Sequence, residues 1–408
     1  MNNNILRVVT RPYLVLLITV LISFISWSIS TPFMREGYIV KENLTFNTIL
    51  LLSAWYLPLI LFSYFGYRLG RMIKVNRTFD SVPNKQYFIL FSLIGYLGVF
   101  VTLLSIGSGY GQIIGWILNG EANNLKKMLY DSYSVGPHSL RYVVIVSSAI
   151  SLFQIMKYRK INWFDIFNLL SLLIVSLISS RLALILCLVI TICLTIRYNV
   201  VVRRYIYLIA MVFTFLLLTL FNYSRNSNFY KDYFNIDNPI IMNISEMKTY
   251  IGSPFQAAVG VTNHFEHFLW TSNNSFKDVI FYMVPSYLRG ILNVGGSHES
   301  SYREFVDIEN GLTTNSSFVS LVDHIGVYSF FTMIVVVFFA SIIIGHLSKY
   351  KSYINIISFI LIYCFAEIWR TYLFNEGIIH MTILIIVLSF TFLYLYNQFP
   401  VRSGYKSE

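Results

Sequence analysis

One apolar run, residues 164–196, constrains the fold more than any other feature of the sequence. As a single helix of about 33 residues it would be roughly 50 Å long, far more than the roughly 30 Å of bilayer hydrocarbon. Two helices need a turn between them, and Ser179-Ser180-Arg181 is the only polar interruption available. We therefore predict a tight helical hairpin with Arg181 at its tip.

Other apolar runs of membrane-spanning length recur along the 408 residues. Only 12% of the residues are charged, against about 25% in soluble domains, which indicates an integral membrane protein. With the hairpin counted as two spans, the sequence predicts an all-α polytopic membrane protein with about ten transmembrane helices, formed as a single domain over residues 1–408. The remaining runs are 12–31, 46–66, 87–107, 141–156, 205–222, 325–345, 353–371 and 377–396.

The distribution of basic residues predicts the orientation of these spans. With ten spans and a cytoplasmic N-terminus, the inner segments carry 17 basic and three acidic residues, and the outer segments carry 13 basic and 16 acidic residues. This bias is the one expected for cytoplasmic loops, so we expect both termini in the cytoplasm and Arg181 at the outer face. The net charge of +11 is explained by this placement, so we expect no nucleic-acid partner.

Two predicted outer loops are long, and long loops in compact folds are commonly functional. The smaller covers residues 108–141, and the larger covers residues 223–316 between spans seven and eight. Each contains a stretch with helical spacing of apolar residues, 109–129 and 275–293, which predicts amphipathic helices at the membrane surface. Pro285 is expected to break the second helix. No nucleotide-binding motif is found on the inner side.

Arginines recur on the predicted outer side, and a guanidinium presents a rigid donor fork that suits phosphate oxygens. They are candidates for binding a membrane-embedded diphosphate, or alternatively unconnected interfacial and ion-paired side chains. Glu367 lies three residues before one of them, so an intrahelical ion pair is an equally plausible role there. The candidates are Arg181, Arg225, Arg289, Arg303 and Arg370.

Histidines and carboxylates of the large loop and its exit are candidates for a general base, since imidazole and carboxylate accept protons from sugar hydroxyls. The segment NHFEHF lacks the H-E-x-x-H spacing of a zinc motif, so no metal site and no cofactor are expected. The three cysteines lie in apolar runs and predict no disulfide framework. The candidate bases are His298, Glu299, Asp323 and His324.

Taken together, these features resemble the bacterial O-antigen and oligosaccharide repeat-unit polymerases of the Wzy type. The resemblance extends over essentially the full chain and depends on the ten-span layout with one large late outer loop. Its short motifs are the S-S-R tip at Arg181, Tyr223-Ser224-Arg225 at the loop entrance, YIGSPFQ at 250–256 and NGLTTNSSFVSLVDHIGVYSFF at 310–331.

This resemblance implies a GT-C-like glycosyltransferase in the bacterial inner membrane with its active site on the periplasmic face. The implied donor and acceptor are both oligosaccharides linked to undecaprenyl diphosphate, and a chain-length regulator is an implied partner. The arginines would stabilise the diphosphate leaving group. An O-antigen ligase, a lipid-linked oligosaccharide flippase or transporter, and a structural or sensing membrane protein remain alternatives.

Overall fold

The computed structural model describes residues 10–29, 36–75, 83–106, 115–116, 124, 137–178, 181–201, 203–269, 276–285, 288, 301–309 and 315–398. This part of the chain folds into α-helices and short 3₁₀ turns, and it contains no strand. The α-helices, in chain order, are α1 (Pro12–Ser28), α2 (Phe46–Met72), α3 (Asn84–Ile106), α4 (Val143–Tyr158), α5 (Trp163–Ile178), α6 (Arg181–Arg197), α7 (Arg204–Phe234), α8 (Pro239–Asn263), α9 (Phe265–Leu269), α10 (Phe276–Met283), α11 (Ser317–Ile325), α12 (Tyr328–Leu347), α13 (Ile356–Glu367) and α14 (Gly377–Gln398).

Several of these helices are long and apolar enough to cross a membrane. Among the described residues five meet that requirement, or six if the two bent halves of α7 count as one span. Four further apolar helices have only 10–17 residues. The all-helical fold is thus confirmed for the described residues, which contain fewer helices able to span a membrane than the ten predicted. The four shorter helices are Pro12–Ser28, Trp163–Ile178, Leu182–Arg197 and Tyr353–Glu367.

The long apolar run does break where the sequence predicts. Helix α5 ends at Ile178 and helix α6 begins at Arg181. Trp163 at the start of α5 and Tyr198 just after α6 line the same cavity, so the two helices run in opposite directions. Both helices also pack against α4. The two helices therefore form the predicted antiparallel pair, and Ile178 and Arg181 lie at its end away from that cavity.

The ends of α2, α4, α6 and α12 meet at one end of the bundle. Lys349 donates to the carbonyl oxygen of Arg71 at 3.0 Å, and Arg197 donates to the carbonyl oxygen of Tyr350 at 3.0 Å. We call this region the basic end. It collects segments that the charge distribution assigns to one side, and its cationic residues are Arg71, Lys85, Lys157, Arg197, Lys349 and Lys351.

Helices α2 and α12 approach each other closely along a seam of small residues. A Cβ atom at Gly66 would lie 2.5 Å from a backbone oxygen of α12, and Gly70 and Gly345 are packed against opposing backbone still more tightly. The buried hydroxyls of Ser341 and Ser63 share a hydrogen bond of 3.0 Å across the same seam. Small residues of this kind let membrane helices pack backbone to backbone.

Helix α8 lies within the predicted large loop, yet it belongs to the core. Every residue from Gly252 to Thr262 is buried, and α8 packs against α1, α2, α7 and α11. Helix α10 ends at Met283, two residues before Pro285, as the sequence predicts. Most of the predicted helix at 109–129 lies outside the described residues. The large loop thus contributes a central helix to the bundle.

Candidate functional site

Helix α7 bends sharply at Arg225, one of the predicted arginines. The segments Leu208–Ser224 and Asn226–Asp232 meet at an angle of 72°. Just after the bend, the amide nitrogen of Asn226 lies 3.5 Å from both carboxylate oxygens of Glu246 on α8. Glu246 is only 3% exposed. The bend therefore faces a buried acid, although the side chain of Arg225 lies outside the described structure.

Arg370 lies in the turn after α13, close to the same part of α8. Its Nε atom is 2.5 Å from the Oε2 atom of Glu367, so the ion pair suggested by their spacing is confirmed. Its guanidinium carbon is 6.0 Å from the centre of the Tyr250 ring. Arginine stays protonated in proteins, so Glu367 faces a full positive charge.

Glu246 and Tyr250 are four residues apart on α8, so they lie on one face of that helix. The bend at Arg225 meets this face at Glu246, and Arg370 meets it at Tyr250. Arg370 and the backbone bend at Arg225 therefore flank a single turn of helix α8. We call Glu246, Tyr250, Glu367 and Arg370 the α8 site.

Buried amides hold α7 and α8 together beside this site. Asn222 donates to the Oδ1 atom of Asn243 at 2.5 Å, and Asn243 donates in turn to the hydroxyl of Thr219 at 2.9 Å. Both asparagines are almost completely buried. Hydrogen bonds between helices in an apolar environment fix their register, so the bend of α7 is held opposite Glu246.

Arg181 lies at the same end of the bundle as Arg370. Helix α6 ends at the basic end with Arg197, so its first residue, Arg181, is at the opposite end. Helix α13 begins near the basic end, where the amide of Tyr353 donates to Asn84, and finishes at Glu367. Helices α6 and α13 are in contact. The side chain of Arg181 itself is not described.

Two of the candidate bases lie on helix α11. The Oδ1 atom of Asp323 accepts hydrogen bonds from the backbone nitrogen and the hydroxyl of Ser301, at 3.2 Å and 2.7 Å. The ring of His324 stacks on Tyr282 with a centroid distance of 4.8 Å. Asp323 therefore anchors the segment 301–309 to α11, and His324 anchors helix α10.

The first residue of helix α11 is hydrogen-bonded to the turn after α13 that contains Arg370. The backbone nitrogen of Ser317 donates to the carbonyl oxygen of Ile368 at 3.0 Å. Arg303 is exposed on the segment 301–309, with its guanidinium 5.9 Å from the Tyr302 ring. Three further candidates fall outside the described residues, and they are Arg289, His298 and Glu299.

A buried glutamine connects α8 to the segment that joins α1 and α2. The side chain of Gln256 accepts from the indole of Trp27 at 2.8 Å and from the backbone nitrogen of Glu42 at 3.1 Å. It donates to the carbonyl oxygen of Val40 at 2.8 Å. Asp307 accepts from the backbone nitrogen of Ile39 at 2.9 Å. The segments 36–45 and 301–309 therefore pack together over the end of α8.

Sequence reasoning included Tyr250 and Gln256 only as the ends of the motif at 250–256, and it did not single out Glu246. Glu246 is the only acidic residue in Pro239–Asn263, and Lys248 is the only basic one. An isolated acid in such a sparsely charged helix of a membrane protein is the signal that could have found it. Within the described residues no group of three or more histidines, cysteines or acids is placed to hold a metal ion. The chemistry of the α8 site is therefore that of a paired arginine, a buried acid and a tyrosine.

No family model matches the chain, and no curated protein or solved structure matches it either.

The properties of the α8 site follow from its own residues. A guanidinium fixed by a carboxylate presents its donors in one direction, which suits the oxygens of a phosphate group. Acids lie in and beside the site, with Glu246 and Glu367 in it and Asp323 on α11, the helix whose first residue is hydrogen-bonded to Ile368.

Proposed function

We propose that the chain is a membrane glycosyltransferase that polymerises undecaprenyl-diphosphate-linked oligosaccharide repeat units into O-antigen or a related surface polysaccharide. One observation carries this proposal. Arg370 and the bend at Arg225 flank the same turn of buried α8, and Arg181 begins a helix at that end of the bundle. A diphosphate at the lipid boundary needs such cationic donors.

In this proposal the four shorter apolar helices also cross the bilayer, and the chain has ten spans. The basic end faces the cytoplasm, because cytoplasmic segments of membrane proteins carry the excess of lysine and arginine. The α8 site then faces the periplasm, where lipid-linked repeat units are joined. Both termini lie on the cytoplasmic side, and the large loop supplies α8 to the wall of the site.

The proposed reaction joins two lipid-linked sugars. A hydroxyl of the acceptor attacks the anomeric carbon of the donor, the bond from that carbon to the diphosphate oxygen breaks, and undecaprenyl diphosphate leaves. Arg370 binds the developing negative charge, and Glu367 is a positioning residue that fixes the guanidinium. Asp323 and His324 are the described candidates for accepting the hydroxyl proton.

The test is polymerisation by the purified full-length protein in lipid nanodiscs, supplied with lipid-linked repeat units and no nucleotide. We expect a ladder of polymer on the lipid. Arg370→Ala removes a preorganised donor and should lower the rate by about 10²–10³-fold. Arg370→Lys keeps the charge but loses the fork, and should recover only part of that rate. Arg203→Ala, which removes an exposed arginine on the other side, is the matched control.

The products separate the proposal from its alternatives. Transfer of one glycan to a different lipid acceptor without a ladder indicates a ligase. When the protein is placed in sealed liposomes instead, movement of lipid-linked sugar across the bilayer without a new glycosidic bond indicates a flippase. A normal ladder from Arg370→Ala would show that the α8 site does not bind the diphosphate.

A further inference from the structure

A cavity of about 1240 Å³ opens at the basic end, far from the α8 site. It is formed where the starts of α3 and α5 meet the ends of α4 and α6. Small-molecule pockets have volumes of about 300–1,000 Å³, so this cavity has room for more than a compact metabolite. Its walls are mainly aromatic and aliphatic, and they include Phe88, Phe153, Trp163, Phe164, Tyr198 and Tyr353.

The charged residues that line this cavity are both lysines, Lys85 and Lys157. The ammonium group of Lys157 lies 4.9 Å from the ring centre of Tyr158, and 5.8 Å and 5.9 Å from two further rings. Arg159 and Lys160 follow directly in the chain. The nearest acid along the chain, Asp165, is fully buried and accepts a hydrogen bond from the backbone of Asn162. The cavity is therefore complementary to an anion.

The mouth of the cavity is apolar and exposed. Trp163 is 76% exposed and Ile161 is 65% exposed, although both line the cavity. An exposed tryptophan at the end of an apolar helix is typical of the interface between hydrocarbon and headgroups. Exposed apolar side chains beside two lysines would contact a molecule with a greasy part and an anionic part.

We propose that this cavity binds an anionic phospholipid of the surrounding membrane. The lipid phosphate lies between Lys85 and Lys157, and the acyl chains lie along Trp163 and Ile161. Charge complementarity selects an anionic headgroup, and the apolar mouth selects a lipid over a soluble phosphate. This site is distinct from the α8 site and does not depend on the enzymatic proposal.

The experiment measures lipid affinity for the full-length protein in detergent by native mass spectrometry. Phosphatidylglycerol and phosphatidylcholine with the same acyl chains are titrated separately, and glycerol 3-phosphate provides the headgroup without chains. A lysine near an anionic lipid surface contributes about 1 kcal/mol, which is about fivefold in affinity. The double variant Lys85→Gln/Lys157→Gln should therefore bind phosphatidylglycerol about 25-fold more weakly, with unchanged binding of phosphatidylcholine.

Two control variants keep this test decisive. Lys74→Gln/Lys351→Gln removes the same charge at two positions that are not among the lining residues, and should keep wild-type affinity. Lys85→Arg/Lys157→Arg keeps the charge and should keep the preference for phosphatidylglycerol. Equal affinity of the wild type for both lipids overturns the proposal. So does competition by glycerol 3-phosphate at lipid-like concentrations, or an equal loss in the Lys74→Gln/Lys351→Gln control.

Discussion

Gly70→Ala is expected to destabilise the protein, although alanine forms helices better than glycine. A Cβ atom at Gly70 would lie 2.9 Å from the backbone nitrogen of His346, and closer still to the carbonyl oxygen of Ile342. Because both atoms belong to backbone, helices α2 and α12 must move apart. Overpacking of this kind costs about 1–3 kcal/mol, and close packing along the seam is lost as well. The better helix propensity of alanine offsets about 1 kcal/mol of this cost, so the free energy of unfolding should fall by up to about 2 kcal/mol.

Gly252→Ala is the matched control for this prediction. Gly252 is also a buried helical glycine, but the nearest atom to its added Cβ would be 3.6 Å away, in ordinary contact. This variant should gain about 0.5–1 kcal/mol from helix propensity alone. The assay is thermal unfolding of both variants in the same detergent. Shifts of the two midpoints in the same direction would refute the close contact between α2 and α12.

Three further predictions concern the region around α8. Gln256→Leu leaves the polar groups that now bond to Gln256 without partners, so it should lower the free energy of unfolding by about 2–4 kcal/mol, measured by thermal unfolding. A decrease in unfolding free energy smaller than that of a surface variant would contradict the role assigned to Gln256. Asn243→Ala removes the hydrogen bonds to Asn222 and Thr219, and should speed proteolysis near the bend of α7. An unchanged rate of cleavage would contradict the role of these hydrogen bonds in holding the bend. Arg181→Cys in intact cells should react with a membrane-impermeant maleimide. The background should be low because the native cysteines Cys187, Cys193 and Cys364 are buried. Labelling only in opened membranes would reverse the proposed orientation.

Much of the fold follows from local rules that can be read along the chain. The break before Arg181 follows from the length of one apolar run, and the basic end follows from the placement of lysines and arginines. The ion pair of Glu367 and Arg370 follows from a spacing of three residues. In each case the interaction involves residues close in sequence or a property of the membrane that acts on every segment.

The burial of α8 could not be predicted in the same way. The helix contains polar residues such as Asn243 and Gln256, so its sequence resembles an exposed loop. Its polar groups are satisfied by partners far away in the chain, as when Trp27 donates to Gln256. The bend at Arg225 has no proline or glycine next to it to signal it. Both features depend on tertiary contacts that no local pattern encodes.

The short helices have a consequence for the lipid around the protein. Helix α5 has 16 residues, so it is about 24 Å long, whereas the hydrocarbon layer is about 30 Å thick. A span shorter than the membrane makes the bilayer thin locally. Helix α6, which begins at Arg181, has 17 residues, and helix α13, which ends three residues before Arg370, has 12. In the proposed function, headgroups on that side dip towards these arginines, so that a phosphate carried on a long isoprenoid would reach them without leaving its leaflet.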